Sequence, residues 1–136
     1  EYVDVASRLI SQALSRLPKY EGVVYRGETM SIKKLQERFL DHIGDVVSDK
    51  GFISSSLYMD TPMKFISHAG IPKSHKRVIF EIQSKNGRNI SKISEFNGIF
   101  TLENQHEILF DKGTKFLVKK RRIEGDGTYR IILVEQ

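Results

Sequence analysis

The chain of 136 residues contains no cysteine. Disulfide staples, thiolate nucleophiles and cysteine-based metal sites are therefore excluded, although this absence says nothing about compartment. No apolar run approaches the roughly 20 residues that span a bilayer as a helix, so membrane insertion is not expected. The first residues, "EYVDVASRLISQALSRLP", are amphipathic and carry acids early, unlike a secretory signal. A first residue other than Met leads us to expect a piece of a longer protein. Internal repeats and low-complexity tracts are missing. So are Walker and G-x-G-x-x-G phosphate loops, a G-x-S-x-G elbow and an H-E-x-x-H pair. With histidines only at 42, 68, 75 and 106, no metal site is expected.

What is present suits one compact domain, residues 1–136, long enough to bury a hydrophobic core. The net charge is +5 and the sequence pI about 9.5. A basic surface favours acidic partners or nucleic acid, but the excess is modest and spread out. Its densest block, "VKKRRI" from Val118 to Ile123, reads more simply as a charged edge strand that resists aggregation.

Val3, Ala6, Ile10, Ala13, Leu14 and Leu17 follow helical spacing until Pro18 stops the run. "GVVYRG" reads as a short strand closed by Gly27. Ser31 is positioned to cap a second helix whose stripe is Ile32, Leu35, Phe39 and Ile43, with Gly44 as its stop. "DTPMKFISHAG" suggests a short helix, and from Arg77 onward the chain is strand-rich. Asn86-Gly87 and Gly125-Asp126-Gly127 read as turns. Helices first and strands later, joined by short connections, predict an α+β fold with mostly antiparallel pairing.

Against this background "GFISSSL", residues 51–57, sets three serines in the middle of a strand. Arg26 sits in another apolar strand and Glu107 heads a third, "QHEILF". Each residue alone has a structural explanation: an arginine reaching the surface, edge filler, a strand entrance. A semi-buried arginine and glutamate together need partners, however, because an unpaired buried charge is costly. Hydroxyls that orient a carboxylate would meet that need.

"VYRGE", "GFISSSL" and "QHEILF", in that order, resemble the landmarks of the Arg–Ser–Glu class of mono-ADP-ribosyltransferases, the class of bacterial toxins such as the C3-like enzymes. The tail "EILFDKGTKFLVKK" and the closing "YRIILVEQ" are similar to that family too, so the resemblance spans nearly the whole chain. It implies two small, mostly antiparallel sheets packed roughly perpendicular, with flanking helices and an NAD cleft between them. NAD would be the co-substrate, with no metal. Arg26 would hold the NAD diphosphate and Gly27 would leave backbone open to nicotinamide. Ser54 would orient Glu107, Ser55 would replace the usual threonine, and Ser56 would support the segment. Glu107, preferred over Glu103, would stabilise the positive ribose as nicotinamide leaves. Gln105, two residues earlier, stands where glutamate accompanies arginine acceptors. Glutamine goes instead with asparagine, as in C3-like toxins, or with nucleic acid. Phe96 and Phe100 become candidates for acceptor contact, with core packing the competing explanation.

The expected function is a secreted or injected toxin domain, the C-terminal part of a larger protein, acting in the cytoplasm of a target cell. It would transfer ADP-ribose to a protein side chain or a nucleic acid, and an immunity protein plugging the cleft is an expected partner. Two alternatives are an NAD glycohydrolase on the same scaffold and a non-enzymatic basic module that binds nucleic acid.

Overall fold

The computed structural model describes residues 2–59, 71–90 and 107–136. Helix α1 (Tyr2–Ser15) ends just before Pro18, which has no N–H to extend it. Leu14 packs inward, yet Ile10, expected on the same stripe, is exposed together with Val5 and Leu9. The chain leaving the helix is tied to the sheet: the Leu17 carbonyl accepts from Arg88 Nη1 at 2.7 Å and the Pro18 carbonyl from the Asn89 amide at 3.2 Å.

Strand β1 runs from Lys19 to Ser31. Gly27 does not close it; the residue pairs with Ile79 in an unbroken register that continues to Ser31 opposite His75. The long partner strand overrides the local glycine signal, since a glycine needs no special backbone where a ladder continues on both sides. Ser31 then caps α2 (Ile32–Arg38), its Oγ accepting the Lys34 amide at 3.1 Å. A 3₁₀ turn (Leu40–His42) follows, and Gly44 ends it at φ +92. Leu35 and Phe39 are buried, whereas Ile32 and Ile43 are exposed, so the apolar stripe is half as wide as its spacing suggests.

The remaining strands are β2 (Val46–Ser48), β3 (Ile53–Ser56), β4 (His75–Asn89), β5 (Glu107–Phe110), β6 (Lys115–Ile123) and β7 (Tyr129–Glu135). Their order is β1-β3-β5-β4-β7-β6-β2, and β1 also pairs with β4. Strands β1, β3, β5 and β4 thus close a ring; β1 runs along one edge of β4, while the other edge carries β7 at residues 78–83 and β5 at residues 88–89, with β6 and β2 beyond β7. Because both groups share β4, hydrogen bonding makes one continuous sheet of the seven strands among the described residues. Among the described residues, pairing is antiparallel except between β4 and β7. That parallel pair is possible because β5 and β6 lie between them in sequence and supply the long crossover.

Asn86-Gly87 is not a turn. Both residues lie inside β4, where the Lys85 and Asn86 amides each donate to Glu135 Oε1 at 2.7 Å. Glycine is needed at 87 for close approach instead: a Cβ there would stand 2.6 Å from Ile108 Cγ2 and 2.7 Å from Ser84 Oγ. Gly125-Asp126-Gly127 does form the β6–β7 turn, with Gly127 at φ +88 and its amide donating to the Glu124 carbonyl.

The core gathers Val24, Val78, Phe80, Ile82, Ile108, Phe110, Phe116, Val118, Ile131 and Leu133. Phe39 stacks obliquely on Phe80, with ring centres 4.9 Å apart, joining α2 to the sheet. On β6, burial ends at Val118: from Lys119 to Ile123 every residue is exposed. Strand β2 pairs only with Lys115–Leu117, so the basic run projects past it as a charged free edge.

Candidate active site

The serine segment owes its arrangement to the two-residue period of a strand. Strand β3 lies between β1 and β5, with Tyr25 opposite Ser56 on one side and Ser54, Ser55 and Ser56 opposite Leu109, Ile108 and Glu107 on the other. Ser55 points into the interior, 5% exposed, and donates to the Ile108 carbonyl at 2.7 Å. Ser54 points to the opposite face. Its diagonal neighbour there is Glu107, and Ser54 Oγ donates to Glu107 Oε1. Ser56 Oγ accepts the Tyr58 amide at 3.3 Å and so closes the end of the strand.

Arg26, on β1, reaches the same place from the side. Its Nη1 donates to the Ser54 carbonyl at 2.9 Å, and its Nε lies 3.7 Å from Glu28 Oε2. With 37% of its side chain accessible, the guanidinium keeps donors facing outward. One serine therefore contacts both charged residues, the arginine through its carbonyl and the glutamate through its hydroxyl. Gly27 follows Arg26 on the strand, paired with Ile79.

Of the sequence-derived site, the structure brings together Arg26, Ser54 and Glu107, with Gly27 beside them. It separates Ser55, which is a buried structural hydroxyl. Gln105, Phe96, Phe100 and the competing Glu103 lie outside the described residues, as does the expected helix in "DTPMKFISHAG".

Sequence reasoning missed the cavity next to Arg26. It has a volume of about 480 Å³, and its walls include Arg26, Arg38, Phe39, Asp49, Phe52 and Phe116. Ser54 and Glu107 are not among its lining residues; Arg26 is the side chain common to the cavity and the serine–glutamate pair. Within it Arg38 Nη2 lies 3.1 Å from Asp49 Oδ2, and the Arg38 guanidinium stands 5.4 Å from the centre of the Phe39 ring. Asp49 is held below the ordinary carboxylate range, first by the Gly51 amide and then by Arg38, with a further contribution from the charge of Arg26. The sequence signal was the Asp-x-Gly turn at residues 49–51, which positions that carboxylate.

This strand arrangement is that of the ADP-ribosyltransferases. The solved Vis toxin, an ADP-ribosyltransferase from Vibrio splendidus, superposes with a TM-score of 0.74 at 26% identity, covering 96% of this chain and 55% of that one. A sequence profile of the ADP-ribosyltransferase exoenzyme family matches residues 6–136, and the chain belongs to that family. Among curated relatives, the putative NAD⁺–arginine ADP-ribosyltransferase Vis of Vibrio splendidus is 30% identical over 127 residues, covering 90% of this chain and 46% of the relative. The NAD⁺–protein-arginine ADP-ribosyltransferase Tre1 of Serratia proteamaculans is 29% identical over 126 residues, 93% of this chain and 23% of the relative. The chain thus spans less than half the length of the curated relatives it matches. NAD is the co-substrate named in those relatives.

Proposed function

We propose that this chain is a single catalytic domain that cleaves the bond between nicotinamide and ribose in NAD and transfers ADP-ribose to a macromolecule. The observation that carries the reading is Ser54, which orients Glu107 with its hydroxyl and contacts Arg26 with its carbonyl. One peptide unit thus fixes the distance between a phosphate-binding guanidinium and a carboxylate.

Arg26 binds the diphosphate, where a planar fork of N–H donors matches phosphate oxygens. Gly27 keeps the backbone beside it clear for the nicotinamide ring. As the glycosidic bond breaks, its electron pair leaves with nicotinamide and positive charge develops on the ribose. Glu107, locked by Ser54, faces that charge and stabilises it, as the carboxylates of glycoside hydrolases do. Ser56 supports the end of the strand. The acceptor nucleophile then attacks C1 of the ribose and loses its proton.

Two observations bear differently on the acceptor. The relatives' names specify arginine, and Vis has been solved in complex with agmatine, which carries a guanidinium like that of arginine. Here the residue two before Glu107 is Gln105, an amide that hydrogen-bonds but has no charge to pair with a guanidinium. We infer a protein acceptor, and Gln105 favours an amide side chain over arginine. Phe96 and Phe100 are candidates to contact it. By analogy with the Vis toxin, we propose delivery into a target cell from a larger protein, with an immunity protein able to cap the cleft.

Incubation with labelled NAD and a cell lysate, with and without nuclease, tests the reading. The expected result is a nuclease-resistant labelled protein band that Glu107→Ala abolishes. A rate unchanged by Glu107→Ala overturns the assignment. Label recovered only as free ADP-ribose marks a glycohydrolase, and label lost on nuclease treatment marks a nucleic-acid acceptor.

A further inference from the structure

The diphosphate of NAD carries two negative charges, one on each phosphate, whereas Arg26 supplies a single guanidinium. The cavity beside Arg26 contains a second. Arg38 comes from the last turn of α2, stands over the Phe39 ring at 5.4 Å, and pairs with Asp49, which also lines the cavity.

As a purely structural staple this contact has little to do. Its two side chains are 42% and 39% exposed, and ion pairs that open to solvent contribute on the order of 0–1 kcal/mol. The turn that carries Asp49 is already fixed without Arg38. Asp49 Oδ1 accepts the Gly51 amide at 2.9 Å, and the Asp49 carbonyl accepts the Gly113 amide at 2.8 Å. Asp49 also feels the charge of Arg26 as well as that of Arg38, so the two guanidiniums share one carboxylate's neighbourhood. In the free domain Asp49 and Glu28 offset the positive charge of the cavity.

We propose that Arg38 is a second phosphate-binding residue of the NAD site, held by Asp49 in the free protein and released to the adenosine-side phosphate when NAD enters the cavity. Arg26 then grips the phosphate nearer nicotinamide, and Phe39 keeps the Arg38 guanidinium in the plane from which it turns. The exchange of a carboxylate for a phosphate oxygen conserves one charge-assisted contact. Asp49 is thereby a positioning residue for Arg38. This inference rests on the proposed NAD-cleaving function, deepening it at the co-substrate site.

Nicotinamide release is measured with NAD and with nicotinamide mononucleotide, which lacks the adenosine-side phosphate. ADP-ribose binding, which requires no turnover, is followed by calorimetry. Arg38→Ala raises KM for NAD and Kd for ADP-ribose about 10- to 100-fold, the range for losing a charged hydrogen bond. It leaves kcat unchanged and spares the mononucleotide. Arg38→Lys, which keeps the charge but not the fork, falls between. Asp49→Asn frees Arg38 while its amide oxygen still accepts from Gly51, and it lowers KM for NAD. A staple would move both variants the same way, through stability, for both substrates. Equal effects of Arg38→Ala on the two substrates, an unchanged KM, or a raised KM in Asp49→Asn overturn the inference. A wild-type domain that binds ADP-ribose through Arg38 but releases no nicotinamide overturns the enzymatic reading alone. One that releases nicotinamide indifferently to Arg38 overturns this inference alone.

Discussion

Ser54 and Ser55 are chemically identical neighbours in opposite surroundings, because the strand turns one to Glu107 and the other to the core. Their replacement separates function from stability. Ser54→Ala removes the hydroxyl that fixes Glu107 and lowers kcat about 10- to 100-fold if that charged hydrogen bond is lost in the transition state, with a thermal midpoint close to wild type. Ser55→Ala leaves the Ile108 carbonyl without its side-chain donor. It lowers unfolding free energy by about 1–3 kcal/mol in urea titrations while kcat holds. At the same scale Asp49 gives the domain a pH dependence. Its carboxyl is held low in the fold, so its contribution to stability is present above the unfolded value of about 3.9 and is lost as pH falls through the folded value. Urea midpoints of wild type and Asp49→Asn therefore differ at neutral pH and converge in acid.

At the scale of elements, local signals held where nothing long-range opposed them. Ser31 caps α2 and Gly127 makes the β6–β7 turn, because a cap and a tight turn are settled by a few adjacent atoms. Gly27 and Asn86-Gly87 misled for one reason. Strands β1 and β4 pair along nearly their whole lengths, and ladder hydrogen bonds outweigh the weak preference of a glycine for a turn. The consequence at Gly87 is measurable. Gly87→Ala places a methyl within 2.6 Å of Ile108, on β5 next to Glu107. Overpacking of this kind costs about 1–3 kcal/mol, and shifting β5 lowers kcat as well; a variant as stable and active as wild type contradicts that geometry. The basic block of β6 is the reverse case. Its charge run was read correctly as a free edge, since exposure is what a charged strand end requires.

For the whole molecule, the closed ring of β1, β3, β5 and β4 is what lets residues 26, 54 and 107 meet. A ligand that binds only the folded ring stabilises it by mass action, about 2.7 kcal/mol at a hundredfold excess over Kd. NAD therefore raises the thermal midpoint of the Glu107→Gln variant, which spares the ligand from turnover. Arg26→Ala in the same background removes the rise, as seen by calorimetric scanning.

By itself the sequence determined the class of the fold and singled out an arginine, a serine and a glutamate that the fold brings together, because these depend on residue type and order along the chain. Strand period, capping chemistry and the need of semi-buried charges for partners are all local or pairwise rules. Only the tertiary structure decided that Ser55 turns into the core, that β4 and β7 run parallel, and that Arg38 and Asp49 share a cavity with Arg26. Those outcomes follow from sheet register and from α2 folding back on Phe80, contacts between residues far apart in the chain that no local pattern encodes.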